Sequence, residues 1–283
     1  MRNSGYLLIG LNPEANGVVF GEMNMSSQPQ LDALIRTVAG PPERSAHVAA
    51  WALDCGEAGV VRVSTLVRLA ALPPRPPKAR ELFLWFGAPS AAEWDDFLPC
   101  LDRAERERAA KFHQAADRWC YAAAHAGLRT LLGTALGAAP TEIDFVFGPN
   151  GKPQLDPARH GAGAARAMQF NISHTRGLVA VAIAADAVGI DVECRKEMRD
   201  LVAVADRVFT TESRMALAET AQEDARTAMF FRFWSLGEAF IKATGEGITQ
   251  GFSTFAFTAH GAPRLLRVGD AWGPPARWRF GVL

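Results

Sequence analysis

One stretch, Phe233-Trp234-Ser235-Leu236-Gly237-Glu238-Ala239-Phe240-Ile241-Lys242-Ala243-Thr244-Gly245-Glu246-Gly247, constrains this chain more than any other. Phe233, Leu236 and Phe240 recur at helical spacing and give a helix one apolar side. Glu238 and Lys242 stand one turn apart, so a carboxylate and an ammonium project together. Taken alone, such a pair is a solvated salt bridge on a helix surface. Upstream, Ala187-Val188-Gly189-Ile190-Asp191-Val192-Glu193 reads as an apolar strand whose Asp191 and Glu193 point to one side. Two like carboxylates on one strand face repel each other unless a cation lies between them. Glu238 as a third carboxylate completes an oxygen-donor set suited to magnesium.

The rest of the chain supplies elements around this pair. Leu31 to Val38 is compatible with a short helix and Val60 to Val67 with a strand, but residues 1–78 carry no motif with chemistry in it and form an extension of unknown role. Pro73-Pro74-Arg75-Pro76-Pro77 continues neither helix nor strand and marks a boundary. Glu81 to Phe86 is a strand with two large aromatics. Leu101 to Phe112 is an Arg/Glu-rich helix, and Ala115 to Leu136 is a long Ala/Leu helix ended by Gly137. On these helices Arg108, Arg118 and Arg129 are either phosphate collectors or a charged solvent face. Thr141 to Phe147 is a strand, the turn Gly148-Pro149-Asn150-Gly151 follows, and Lys152 is held beside it.

Phe170 to Thr175 and Leu178 to Ala184 are two strands with little room between them. Ser173 and His174 therefore sit at a strand end, where ligands are commonly met. Adjacent strand residues diverge, so the two serve better as separate phosphate contacts than as a nucleophile and its base. Leu201 to Val208 and Thr211 to Glu219 are helical, Asp224 to Ala243 is a long helix, and Phe252 to Thr258 and Trp278 to Phe280 suggest strands.

Composition bounds the function. With 283 residues, 49% hydrophobic and 21% charged, the chain has the makeup of an ordinary globular protein, and no stretch approaches a membrane span. A formal net charge of zero gives no global attraction to nucleic acid or an anionic membrane. Cys55, Cys100, Cys120 and Cys194 form no Cys-x-x-Cys pair and fit free thiols in a reducing cytoplasm, and the first ten residues lack a signal-peptide core.

Four segments, in order and spacing, resemble the 4′-phosphopantetheinyl transferase superfamily, and within it the surfactin-synthetase-activating type. They are Gly151-Lys152-Pro153, Phe170-Asn171-Ile172-Ser173-His174, Gly189-Ile190-Asp191-Val192-Glu193 and Trp234-Ser235-Leu236-Gly237-Glu238-Ala239-Phe240-Ile241-Lys242. The resemblance implies an α+β fold of two similar halves, residues 79–185 and 186–283, each a small three-stranded sheet packed on a long helix. It implies a monomer that moves the 4′-phosphopantetheine of coenzyme A to a serine of an apo-carrier protein, with magnesium as cofactor and no nucleic-acid or membrane partner. Asp191, Glu193 and Glu238 are then the magnesium ligands, Glu238 also the general base, and Lys242 the stabiliser of the leaving group. Arg108, Lys152, Ser173 and His174 contact the phosphates and adenosine end of coenzyme A.

Three departures from the family pattern stand out. Gly237 occupies the position at which the Trp-x-x-Lys-Glu-x-x-x-Lys signature usually has lysine. A glycine inside a helix costs roughly 1 kcal/mol relative to alanine, so Gly237→Lys is expected to stabilise the helix and restore a cation. A relative that binds coenzyme A or the carrier without turning over is the alternative this position raises. The first 70 to 80 residues have no recognised counterpart, and the end lacks the apolar terminal strand such proteins often carry.

Overall fold

The computed structural model describes residues 4–11, 51–54, 60–65, 74–78, 81–87, 89, 91–175, 177–195 and 198–282. In chain order the first strands are β1 (Ser4–Leu11), β2 (Trp51–Asp54), β3 (Val60–Thr65) and β4 (Glu81–Gly87). Helices α1 (Arg103–Ala109) and α2 (Ala115–Leu136) follow, then the hairpin β5 (Phe145–Phe147) and β6 (Pro153–Leu155). Next come β7 (Gln169–Thr175), β8 (Leu178–Ala184) and β9 (Val188–Arg195). The last third holds α3 (Leu201–Val208), α4 (Thr211–Glu219), α5 (Glu223–Thr244), β10 (Ala256–Phe257), β11 (Leu265–Arg267) and β12 (Arg279–Val282). The helix expected at Leu31 to Val38 lies outside the described residues.

Two sheets organise the α+β fold. One is five-stranded in the order β2-β3-β4-β8-β7, and the other three-stranded in the order β12-β1-β9. The three-stranded sheet lies against α5, while α2 packs on β7 and β8 of the larger one. The larger sheet exceeds the expected three strands because residues 51–65 add β2 and β3, the latter parallel to β4. Residues 1–78, without a readable role in the sequence, thus supply strands to both sheets, since β1 lies between β9 and β12 with both neighbours antiparallel. The terminal strand found missing from the sequence pattern is present as β12, pairing Leu8 to Leu11 with Val282 to Arg279. The strand suggested at Trp278 to Phe280 is its beginning, set one residue later at Arg279.

The apolar content of β4 and β8 follows from their position as a shared wall. All seven residues of each strand are buried. Phe83, Trp85, Val179, Val181 and Ile183 face the core around α2, and Leu82, Leu84, Phe86, Ala180 and Ala182 face the core around α5. A strand covered on both faces loses the polar alternation of a half-exposed one, which is why these runs read as continuous hydrophobics. On α5 the predicted apolar side is buried, with Phe233, Leu236 and Phe240 at most 2% exposed. Phe240 alone meets the rings of Phe255, Phe257, Trp278 and Phe280.

Some boundaries differ from expectation. The Arg/Glu-rich helix is shorter, starting at Arg103 because Asp102 and Glu105 form a reciprocal capping box. Thr141 to Phe147 begins as a turn of 3-10 helix at Pro140–Glu142, and Phe252 to Thr258 begins as one at Phe252–Thr254. In the second case the Thr254 hydroxyl donates to the Gly251 carbonyl and holds the turn.

Candidate active site

The site is built where β9 crosses α5. At Gly189 the two backbones nearly touch: a Cβ there would lie 1.9 Å from the Ala239 carbonyl oxygen. No side chain fits, and that close approach brings the next outward residues of the strand against the helix. Trp234, Glu238 and Lys242 recur every four residues on α5 and share one face. Lys242 Nζ donates to Asp191 Oδ1 at 2.6 Å, and the Trp234 indole N–H donates to Glu193 Oε1 at 3.2 Å. Glu238 lies between these two contacts along the helix.

The free edge of β9 faces β7, and side chains join them in place of a strand ladder. Asn171 Oδ1 accepts from the Ile190 N–H at 2.9 Å, and Ser173 Oγ accepts from the Val192 N–H at 3.2 Å. These bonds satisfy buried donors that would otherwise be orphaned. The Ser173 hydroxyl also donates to Asp191 Oδ1 at 3.1 Å, with Lys242 Nζ 3.2 Å away. Ser173 is therefore 7% exposed and turned to the carboxylate, while His174, the next residue, turns to the opposite side. The divergence of the two side chains matches the strand geometry. The Ser173 hydroxyl, expected at a phosphate, is engaged with Asp191, Val192 and Lys242.

His174 lines a cavity of about 970 Å³ together with Arg108 from α1, Tyr121 and His125 from α2, and Glu238 and Lys242 from α5. The His174 ring meets Tyr121 edge-on at 6.2 Å, and the Arg108 guanidinium lies 5.9 Å from the centre of the same Tyr121 ring. Burial pushes the His174 pKa down to about 4, reinforced by the positive charges of His125, Lys242 and Arg108. The same cavity is lined by the cations Arg108, Arg129, Lys152 and Lys242 and by the carboxylates Asp102, Glu105, Asp144 and Glu238.

Lys152 lines the cavity too, and its ammonium is engaged with backbone carbonyls. Nζ donates to the carbonyls of Ala243 at 2.9 Å and Val188 at 3.2 Å. Asn150 Nδ2 donates to the Gly245 carbonyl at 3.1 Å, so the turn grips the end of α5 at two points. Burial lowers the Lys152 pKa to about 8.

Sequence reasoning assigned no role to Glu105, Tyr121 and His125, which line the cavity, and weighed Arg129 as a phosphate collector or a charged solvent face. Arg129, 2% exposed, is ion-paired to Asp102 and donates to Glu105 Oε2 at 2.6 Å and to the Ile143 carbonyl at 2.7 Å. Its guanidinium is thus held by partners within the protein. Arg118 likewise donates to the Phe112 carbonyl. Glu105 Oε1 meets His125 Nδ1 at 3.0 Å, and the His125 ring stacks 4.2 Å from Tyr121. Although burial opposes it, bonding to His125 and the charges of His125 and Arg129 hold the Glu105 carboxyl below its ordinary range. Tyr121, His125 and Arg129 are spaced four apart, a signal the sequence carried.

The carboxylates expected to hold magnesium were tested against the structure. Among the described residues no group of three or more His, Cys, Asp or Glu side chains stands close enough to hold a metal ion. The donor chemistry nevertheless fits a hard cation. Asp191 is 3% exposed and its Oδ2 is buried without a hydrogen-bond partner among the described residues. Burial, then the Asp191 and Glu238 charges, push Glu193 up to about 7. Burial and the charge of Asp191 also raise Glu238, against the pull of Lys242. Carboxylates that destabilise one another in this way are satisfied by a cation.

Comparison with protein families and characterised proteins gives a concordant result. Residues 187–282 match the 4′-phosphopantetheinyl transferase superfamily, and residues 85–186 match the family described as 4′-phosphopantetheinyl transferase, N-terminal. The chain is 29% identical over 207 residues to the 4′-phosphopantetheinyl transferase HetI of Nostoc sp., covering 70% of this chain and 85% of the relative. It is 30% identical over 183 residues to the 4′-phosphopantetheinyl transferase Sfp of Bacillus subtilis, covering 60% of this chain and 72% of the relative. A mouse L-aminoadipate-semialdehyde dehydrogenase-phosphopantetheinyl transferase is 28% identical over 190 residues, or 65% of this chain and 60% of the relative. No helix among the described residues is long and apolar enough to cross a membrane. With both family matches falling on the sheets and helices that build the site, the chain belongs to the 4′-phosphopantetheinyl transferase superfamily.

Proposed function

We infer that this protein transfers the 4′-phosphopantetheine group of coenzyme A to a serine of an apo-carrier protein. The observation that carries the reading is the meeting, around one cavity, of the cations Arg108 and Lys242 with the carboxylate of Glu238 and the imidazole of His174. Such a lining suits a polyanion and a proton acceptor together. The carrier serine oxygen bonds to the β-phosphorus of coenzyme A as the bond from that phosphorus to the bridging oxygen breaks, and 3′,5′-ADP leaves with the bridging electron pair. Glu238 takes the serine proton, directly or through one water. Burial raises its pKa above the ordinary carboxylate range, which makes it a stronger base than an ordinary carboxylate. Lys242, held by Asp191, keeps its charge close to the departing group.

Asp191, Glu193 and Glu238 would hold the magnesium, which when bound neutralises the pyrophosphate and the charge of the leaving ADP. Arg108 and His174 bind the phosphates, Lys152 and Ser173 hold the site together, and the cytoplasm, where coenzyme A is available, is the place of action. Gly237, the residue that raised a non-catalytic alternative, has a packing role instead, since the Phe252 ring lies over it.

The test follows 3′,5′-ADP release by chromatography with coenzyme A, magnesium and an apo-carrier protein. Release that requires the carrier and stops on chelation of the metal is the expected result. Release without a carrier would make the protein a hydrolase and contradict the assignment.

A further inference from the structure

We propose that Gly237, Phe252 and Trp234 act together as positioning residues for Glu193, orienting that carboxylate toward the divalent cation. The proposal rests on the reading of the site given above. After α5 the chain turns back through Gly251, whose φ of +65° lies in the region that favours glycine, and lays Phe252 over the helix. A Cβ at position 237 would come within 2.3 Å of Phe252 Cε1 and 2.4 Å of its Cδ1. The ring is not free to give way. It stacks on Trp234 with centroids 5.1 Å apart and planes 27° apart, meets Phe209 edge-on at 5.7 Å, and lies 6.0 Å from Phe255.

Trp234 also stacks with Phe230, at 5.9 Å and 18°. Two stacked neighbours restrict the tilt of the indole and with it the direction of its N–H. That direction is toward Glu193 Oε1, at 3.2 Å. With one oxygen anchored, the carboxylate presents the other in a fixed direction. Gly237 is one helical turn from Trp234, so the bare backbone at 237 is what admits the ring that fixes the indole. A helix position that looks like a defect is the seat of a three-residue relay ending at a proposed metal ligand.

Partners that orient metal ligands typically contribute 10- to 100-fold to metal affinity, which sets the expected effect. The probe is Mn²⁺ binding to the intact protein in the presence of 3′,5′-ADP, read by the loss of the free Mn²⁺ paramagnetic resonance signal, with thermal unfolding alongside. Trp234→Phe keeps the stacked ring and deletes the N–H, and is expected to weaken Mn²⁺ binding about 10-fold or more. Gly237→Ala is expected to weaken it as well by displacing Phe252, and Phe252→Leu, which avoids any clash, covers the case in which the alanine variant does not fold. The double variant Gly237→Ala/Phe252→Leu is expected to bind no worse than Phe252→Leu alone, because both act through the same ring. Wild-type affinity in Trp234→Phe, or in folded Gly237→Ala and Phe252→Leu, overturns the relay. Failure of the wild-type protein itself to bind Mn²⁺ overturns the metal reading instead, so the two outcomes are distinct.

Discussion

Lys242 Nζ lies 2.6 Å from Asp191 Oδ1, while the other oxygen of the same carboxylate is buried with no hydrogen-bond partner among the described residues. One ammonium thus satisfies half of a group that is 3% exposed. The unsatisfied half is where a cation is wanted. Asp191→Asn keeps the shape and removes the charge, and it is expected to lower transfer about 100-fold or more while the protein stays folded, because the charge acts on the reaction rather than on packing. Initial rates at saturating magnesium, with circular dichroism as the control, decide this. A folded variant with the wild-type rate removes Asp191 from the site.

Lys152 is expected to matter in the absence of any ligand. Its ammonium serves the carbonyls of Ala243 and Val188, and charged hydrogen bonds contribute about 1.5–3 kcal/mol. Lys152→Met should therefore destabilise the ligand-free protein by about 1–3 kcal/mol in urea unfolding. Unchanged stability with weaker coenzyme A binding would return Lys152 to the phosphates.

His174 sets a pH dependence whose sign is fixed. Its folded pKa of about 4 lies below the ordinary 6.5, so the folded state binds fewer protons in that window. The associated stability is present above about pH 6.5 and is lost as the pH falls toward about 4. The fall in thermal midpoint over this range should be shallower in His174→Asn. Binding of 3′,5′-ADP beside the ring favours its protonated form, so calorimetry in two buffers of different ionisation enthalpy should show proton uptake that His174→Asn reduces. Equal uptake in both proteins would place the anion elsewhere.

Gly237→Lys reverses its sequence-based expectation. Helix propensity alone predicts a gain of up to about 1 kcal/mol. Overpacking against Phe252, 2.3 Å from a Cβ at this position, predicts a loss of about 1–3 kcal/mol, measurable by urea unfolding. A gain in stability would mean that the ring moves aside freely.

What was legible in the sequence was what local pattern determines. The long helices ended at Leu136 and Thr244, near Gly137 and Gly245, and β7, β8 and the Asp191/Glu193 strand appeared where apolar periodicity put them. Glu238 and Lys242 shared a face because helix geometry requires it. What stayed hidden depends on partners distant in the chain. Phe252 is what makes Gly237 necessary, the pairing of β12 with β1 joins the two ends of the chain, and the carbonyls of Val188 and Ala243 are what turn Lys152 inward. Ser173 was placed correctly in its strand, but its hydroxyl found Asp191 across the junction of two sheets, a contact no local pattern encodes.

The central claim is group transfer to a carrier, and intact-protein mass spectrometry of the carrier tests it most directly. An apo-carrier protein incubated with this protein, coenzyme A and magnesium should gain the mass of one phosphopantetheine group at its acceptor serine, and gain none with Glu238→Gln in place of the wild type. A carrier whose mass is unchanged by the folded wild-type protein, across acyl, polyketide and peptidyl carriers, would contradict the account.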